Sequence, residues 1–164
     1  MPTKILIGLV VVVGLIAGVS GYFYGKQDAV TNRAEAKVEK TVTEFGKALK
    51  NVSLLSPTMA GDIQEHYGEF LTPELLAAWK AKPSSAVGRK TSSPYPDRIE
   101  IASTTLIEIG KYGVTGDVVE VTNTGEAGRT PIRLVLEDRR GGWLIASVSW
   151  GNPTIPNSTT TTIT

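Results

Sequence analysis

An apolar segment without charged residues occupies positions 5–24, near the start of the chain. Its twenty residues would reach about 30 Å as an α-helix, which is the thickness of the hydrocarbon core of a bilayer. Three aromatic residues at 22–24 end the segment and Lys26 follows, as is typical of helix ends at a membrane surface. The pattern predicts a short N-terminus and transmembrane helix over residues 1–25.

A cleavable signal peptide is the alternative, because the start is short and positive and small residues occur near Val19 to Gly21. The retained anchor is favoured, since the apolar segment exceeds the roughly 7–15 residues of a typical signal core. Basic residues after the segment favour a cytoplasmic domain. The N-terminus, however, resembles a signal sequence, which normally leaves the domain that follows it outside the cytoplasm. We expect a single-pass membrane protein with an extracytoplasmic C-terminal domain; cleavage would instead give a secreted protein.

Small residues recur along one side of the predicted transmembrane helix. A stripe of this kind allows a second helix backbone to approach closely, so it is a candidate packing surface for a homodimer or a membrane scaffold. Glycine is also common in membrane helices for other reasons. The stripe consists of Gly14, Gly18, Gly21 and Gly25.

A polar helix is predicted from Lys26 to Leu55, with residues 26–37 as a solvated stalk. Its second part carries apolar residues at alternating spacings of four and three, which is the pattern of an amphipathic helix. This apolar face either packs on the chain's own domain or extends a membrane dimer as a short coiled coil. Its members are Val38, Val42, Phe45, Leu49 and Val52.

Two further helices are predicted from start signals that combine a capping hydroxyl with proline. Ser56-Pro57 begins a helix that should extend to about Leu71. Thr72-Pro73-Glu74 begins a third, with Leu75, Leu76 and Trp79 as its buried residues. A loop rich in proline and serine then runs from Lys82 to Asp97, and it is interpreted either as a binding element or as a strap over a sheet edge.

After this loop the apolar pattern changes to a period of two, which predicts β-strands. In the first, Ile107 and Ile109 share the apolar face with Ile99 and Ile101. In the second, the alternation slips between Val118 and Val119, which predicts a β-bulge there. A polar loop over residues 123–130 precedes a third strand, and residues 143–150 form a fourth. Neither of the first two hairpins matches a two-residue turn. Residues 153–164 are predicted to be a disordered tail.

Composition narrows the possible functions. The chain of 164 residues has 17 Lys and Arg against 16 Asp and Glu, so the part beyond Lys4 carries no net formal charge and nucleic acid is not an expected partner. One histidine and no cysteine leave few of the usual zinc ligands. We therefore expect neither a metal nor a cofactor.

The α+β layout, with helices followed by four antiparallel strands, resembles the NTF2-like superfamily of cone-shaped folds over residues 38–152. The bulged strand and the closing strand WLIASVSW carry the resemblance. The resemblance implies about three helices packed on a curved sheet. The superfamily includes enzymes, ligand-binding domains and assembly domains. A membrane span, a stalk and such a domain are also similar to the plan of VirB8-type components of bacterial secretion systems.

NTF2-like enzymes carry a catalytic acid or histidine in the cone interior, so the resemblance makes His66 a candidate, with Tyr95, Asp97 and Asp117 as conceivable partners. Sequence alone supplies neither hydrogen-bond reach nor a tuned pKa for such a base. A single histidine among acidic residues is more typical of a solvated surface. We therefore assign no catalytic residue, and a cyclase or isomerase using His66 or Asp97 is the alternative.

The sequence thus favours a membrane-tethered, non-enzymatic binding or assembly module. Its concave sheet face is expected to contact a protein partner or a small apolar ligand, because aromatic side chains often anchor such contacts. Trp79 and Trp143 are expected to be core residues. The candidate contact residues are Tyr95, Asp97, Trp150 and His66.

Overall fold

The computed structural model describes residues 32–139 and 142–151. The predicted transmembrane helix, its glycine stripe, most of the stalk and the tail from 153 lie outside these residues. Within the described ranges, no helix is both long enough and apolar enough to cross a membrane. The chain divides into two compact units, Met1–Lys37 and Val38–Thr164, and the α+β fold belongs to the second.

The described elements are three helices followed by a four-stranded antiparallel sheet of order β1-β2-β3-β4. This arrangement confirms the predicted α+β class. The helices are α1 over residues 32–48, α2 at Met59–Tyr67 and α3 at Pro73–Ala81. Single 3₁₀ turns cover Leu49–Asn51 and Pro83–Ser85. The strands are β1 at Tyr95–Glu108, β2 at Lys111–Thr122, β3 at Gly125–Arg139 and β4 at Gly142–Trp150.

The apolar face of α1 is buried in the chain's own domain, which is the first of the two predicted alternatives. All five residues of the face are fully inaccessible to solvent. They are Val38, Val42, Phe45, Leu49 and Val52. Val38, Val42 and Phe45 lie on one side of α1 itself, whereas Leu49 begins the following 3₁₀ turn and Val52 comes after it, so the buried spacing of four and three continues beyond the end of the helix.

Helix α1 lies along the edge strand β1 and runs in the opposite direction to it. The Thr104 hydroxyl donates to Glu39 at 3.1 Å, and at the other end Lys50 Nζ lies 3.6 Å from an Asp97 oxygen. Between them Gly46 lies against the backbone of Ile99, and a Cβ on Gly46 would be only 2.6 Å from the Ile99 nitrogen. The helix therefore approaches this strand at a distance that only glycine permits.

The second helix is shorter than predicted. Ser56 does not cap it; its Oγ instead accepts from the Thr58 backbone in the preceding turn, and α2 begins at Met59. It ends at Tyr67 because the backbone of residues 70–72 pairs with β4: Ile145 N donates to Phe70 O at 2.8 Å, and Thr72 N donates to Ile145 O at 2.9 Å. This short parallel bridge covers part of the exposed edge of β4.

The third helix begins as predicted. Thr72 is its N-cap, with an Oγ1 that accepts from Leu75 N at 3.3 Å, and Pro73 takes the first helical position, where no N–H donor is required. Thr72 is also the one polar residue among the fully buried residues of the described chain. Trp79 is 4% exposed and belongs to the core, as expected.

The predicted alternation of β1 is wrong beyond Ile101. A register shift between Ile101 and Ser103 leaves Ala102 unpaired, and a bulge of this kind moves the side chains that follow it to the other face, as far as the next register shift between Leu106 and Glu108. Thr104 and Leu106, opposite Val114 and Tyr112, therefore take the positions of the inner face. Ile107 and Ile109, predicted to be buried, are 55% and 100% exposed.

Two hairpins have two-residue connections, contrary to the sequence prediction. Glu108 pairs with Lys111 across Ile109-Gly110, where Gly110 has a φ of 80° that favours glycine. Thr122 pairs with Gly125 across Asn123-Thr124. The polar segment 123–130, predicted to be a loop, is largely the start of β3. Neither connection contains the Asn-Gly or Asp-Gly pair that signals such turns.

The predicted bulge between Val118 and Val119 is absent, and β2 pairs regularly at both positions. Both valines are nevertheless fully buried. Val118 faces the helices opposite Ile99, whereas Val119 lies between Arg98 and Arg129 on the outer face. The aliphatic stems of two arginines can cover a valine in this position while their charged ends stay in water.

Because α1 approaches β1 closely, we expect alanine substitutions at two helical glycines to change the stability in opposite directions. Gly46→Ala places a methyl group against the Ile99 backbone and should lower the free energy of unfolding by about 1–3 kcal/mol. Gly61→Ala in α2, where a Cβ meets nothing within 4 Å, should raise it by about 0.5–1 kcal/mol. Denaturant unfolding of both variants measures the difference. Equal stability of the two variants would contradict this packing.

Candidate functional site

The loop between α3 and β1, predicted as Lys82 to Asp97, ends at Pro94 and is tied to the helices. Leu54 N donates to Arg89 O, and Arg89 N donates to Val52 O, each at 2.9 Å. The hydroxyl of the fully buried Tyr67 donates to Val87 O at 2.8 Å. The loop is therefore a packed segment that pairs with the chain after α1. This pairing fixes the position of Arg89 and of the residue that follows it.

Two successive cations of this loop lie over two of the predicted contact residues. The Arg89 guanidinium carbon is 5.4 Å from the centre of the Tyr95 ring, and Lys90 Nζ is 5.7 Å from the centre of the Trp150 ring. Both distances are within the range of cation–π attraction. We call these four residues, Arg89, Lys90, Tyr95 and Trp150, the rim cluster.

The rim cluster brings together the loop, the start of β1 and the end of β4. Trp150 is held opposite Ile132 of β3, and the following Gly151 N donates to Pro131 O at 3.0 Å. Arg89 Nε is buried and has no hydrogen-bond partner within the described part of the chain. The cluster thus presents two half-buried aromatic rings, each with a cation beside it. This composition is typical of protein contact surfaces, in which aromatic residues and arginine are enriched.

Asp97, the third predicted contact residue, does not face the interior. It is the unpaired residue of a bulge between Pro96 and Arg98. Its carboxylate lies 3.6 Å from Lys50 Nζ and 3.4 Å from Arg98 Nη1. The ion pair with Lys50 gives Asp97 a role in joining the 3₁₀ turn after α1 to β1.

His66 lies on a separate surface. It is half-buried and lines an open groove of about 250 Å³, together with residues of α1 and α2 and of the turns that follow them. None of its predicted partners lines this groove, and Asp117, opposite Glu100 and Pro131, is on the outer face of the sheet. The structure therefore does not bring His66 together with Tyr95, Asp97 or Asp117. The other lining residues are Glu44, Lys47, Ala48, Asn51, Glu65, Glu69 and Phe70.

The interior between the helices and the sheet is filled by aromatic and aliphatic side chains. The Phe45 and Tyr67 rings lie 5.1 Å apart and edge-on, and the Tyr67 and Trp79 rings lie 6.0 Å apart. Trp143 packs edge-on against Tyr112 at 5.2 Å. Burial raises the pKa of Tyr67 well above its ordinary value, so that its hydroxyl stays a hydrogen-bond donor.

An ion-pair network on the outer face of the sheet was missed by sequence analysis. Arg98 Nη2 lies 2.6 Å from Glu100, and Arg129 donates to both Glu100 and Glu126. Hydrogen bonds from Arg129 and then from Arg98 lower the pKa of Glu100, and bonds to Glu126 and then Glu100 raise the pKa of Arg129. These four residues come together only through the strand register, which the sequence does not reveal.

Comparisons with known proteins give little beyond this geometry. No protein-family model and no curated protein matches the chain. Among solved structures, the chain is similar to an NTF2-like designed protein at 15% sequence identity and a TM-score of 0.40, over 74% of this chain and 99% of that chain. Across the described residues, no group of three His, Cys, Asp or Glu side chains is arranged to hold a metal ion.

The buried hydrogen bond from Tyr67 predicts a pH-dependent stability. Tyr67→Phe leaves the Val87 carbonyl unpaired and should cost about 1–3 kcal/mol at neutral pH. Below the unfolded tyrosine pKa of about 10, this phenol is neutral in both states and adds no pH dependence. Above it, only the unfolded phenol ionises, so stability should fall with a slope of up to about 1.4 kcal/mol per pH unit.

Denaturant unfolding between neutral and alkaline pH measures both effects. Tyr67→Phe should remove this contribution to the fall of stability at alkaline pH. Tyr95→Phe, at a half-buried ring on the surface, is the control for loss of a hydroxyl group. The assignment is wrong if Tyr67→Phe has the stability and the alkaline slope of the unmodified chain.

Proposed function

We propose that this chain is a membrane-tethered, non-enzymatic binding or assembly module built on an NTF2-like cone. Residues 5–24 are its retained anchor, and the domain from Val38 is extracytoplasmic. The length of the apolar segment and its aromatic and basic end support the anchor. The packing of three helices on one face of four antiparallel strands supports the cone.

The filled interior is the observation that carries the non-enzymatic part of the proposal. Among the described residues, the fully buried set contains hydrophobic side chains and Thr72. A general acid or base needs a titratable group within hydrogen-bond reach of a substrate. His66 and Asp97, the residues of the enzyme alternative, lie in a surface groove and in ion pairs to Lys50 and Arg98. This arrangement supports binding rather than acid–base chemistry.

The rim cluster is the contact surface in this proposal. The inner sheet face is covered by the chain's own helices, as shown by the complete burial of Val114, Leu134 and Ile145. A partner therefore meets the edge of the cone, where Tyr95 and Trp150 offer apolar ring surface beside cations. A protein segment or a small apolar ligand fits this chemistry, and no cofactor is required.

Retention of the anchor is tested on the chain produced from its full coding sequence. We expect the mature protein to stay in the membrane pellet after alkaline carbonate extraction and to keep residues 1–25 in intact mass analysis. A protein in the soluble fraction that begins near Tyr22 would contradict the anchor and leave only the domain.

The contact surface is tested by placing a photoreactive phenylalanine analogue at Tyr95 or Trp150 of the membrane-bound chain. Defined cross-linked products are expected from both positions. Ser147, exposed on the outer face of β4, is the matched control and should give none. Absence of products from positions 95 and 150 in a folded chain would refute the rim cluster as the contact surface.

A substitution separates contact from core packing at the same surface. Trp150→Ala should abolish the cross-link at Tyr95 while the chain still unfolds cooperatively, because Trp150 is only half-buried. Loss of cooperative unfolding in Trp150→Ala would assign this tryptophan to the core and remove it from the contact surface.

A further inference from the structure

The end of the first hairpin exposes aliphatic side chains that the fold does not use. Leu106 is 45%, Ile107 55% and Ile109 100% exposed. They surround the turn between β1 and β2, and we call them the apolar tip. They make up three of the four exposed large hydrophobic residues of the described chain; the other, Leu55, is 64% exposed. A fully exposed isoleucine beside two further aliphatic residues marks an interaction surface.

The direction of the strands places the apolar tip at one end of the domain. In an antiparallel sheet of order β1-β2-β3-β4, the first and third connections share one end and the second connection lies at the other. Ile109 and the connection after Arg139 are therefore at the tip end. Asn123, in the second connection, is at the far end.

The chain enters this domain at the tip end as well. Helix α1 runs antiparallel to β1, with Glu39 beside Thr104 and Lys50 beside Asp97. Thr104 is nearer to the tip than Asp97 is, so Val38, the first residue of this unit, is at the tip end of the helix. The chain therefore enters the domain at the end that carries the apolar tip.

The segment between the anchor and the domain limits their separation. Residues 25–37 join Tyr24, the last residue of the predicted membrane helix, to Val38. Residues 32–37 belong to α1, so the segment would span about 20 Å if it were helical throughout and about 35 Å if residues 25–31 were fully extended. The end of the domain that carries the tip is therefore held within a few tens of ångströms of the lipid surface.

Among the described residues, the charges at the base of the tip are mostly neutralised within the protein. Lys111 Nζ lies 2.9 Å from Glu108 and 3.6 Å from Glu137, and Arg139 lies 2.8 Å from Glu137. Asp138 is exposed, and its N–H donates to Gly110 O at 2.9 Å. Since opposite charges alternate here, neither a strong attraction to anionic lipid nor a strong repulsion from it is expected.

We infer that the apolar tip inserts into the interfacial region of the bilayer that holds the anchor, as a second membrane contact of the domain. This inference rests on the proposed anchor. Aliphatic side chains on a loop bind a bilayer in proportion to the apolar area that they bury. The contact fixes which end of the domain faces the membrane and directs the far end, with the turn at Asn123, towards water.

The absence of cysteine allows a direct test with single-cysteine variants of the full chain. Ile109→Cys and the matched control Asn123→Cys, each at a two-residue turn, carry the same environment-sensitive fluorophore. The labelled chains are reconstituted into vesicles of phosphatidylcholine alone, or with added phosphatidylglycerol, that contain spin-labelled lipid. Flotation of the vesicles reports the anchor independently of the fluorophore.

With the chain floating, we expect the label at 109 to emit at shorter wavelength than the label at 123 and to be quenched by the spin-labelled lipid in both compositions. Adding Ile107→Asn should reduce both responses at 109. Thr105→Asn, an exposed position on the same face of β1, should leave them unchanged. Cooperative unfolding of each variant shows that the domain is intact.

Each other outcome overturns the inference. Equal emission at 109 and 123 in floating chains places the tip in water while the anchor stands. A shift at 109 without quenching by lipid assigns the tip to a protein contact, such as a second copy of the chain. A response that requires phosphatidylglycerol indicates adsorption by charge. Chains that fail to float refute the anchor and this inference together.

Discussion

The contact between the apolar face of α1 and the inner face of the sheet is the interaction on which the rest of the structure depends. Its five residues are completely buried, and burial of an aliphatic or aromatic side chain contributes about 1.5–3 kcal/mol. Exposed ion pairs, such as those around Arg129, contribute little by comparison. The glycine at position 46 permits the close approach to Ile99 that aligns the helix with β1.

The helices cover the inner face of the sheet, and this coverage determines where the domain can meet other molecules. Val114, Leu134 and Ile145 on this face are closed to solvent, so contact surfaces are expected on the rim, on the outer face or at the ends of the strands. The outer face carries paired charges, from Arg98 to Glu126. The rim cluster and the apolar tip lie at opposite ends of β1, and we propose a partner at one end and the membrane at the other.

The sequence predicted those features that depend on local spacing. Helical periodicity predicted the burial of Phe45 and of the apolar residues spaced with it. The hydroxyl group of Thr72 predicted the N-cap of α3. Features set by strand register were not predictable. The bulge at Ala102 moved Leu106 to the inner face, and Ile107 and Ile109 fall at a second register shift and in the turn; nothing in the local sequence marks these irregularities. The pairing of Arg89 with Tyr95 likewise depends on how the loop docks on the chain after α1.

Native-state hydrogen exchange of the full chain tests most directly whether α1 is an integral part of this fold. If its apolar face holds the sheet, amides of residues 42–48 should exchange as slowly as those of β2, through the same global opening. Exchange of the α1 amides that is orders of magnitude faster than that of β2 would show a helix that opens independently, and it would contradict this account.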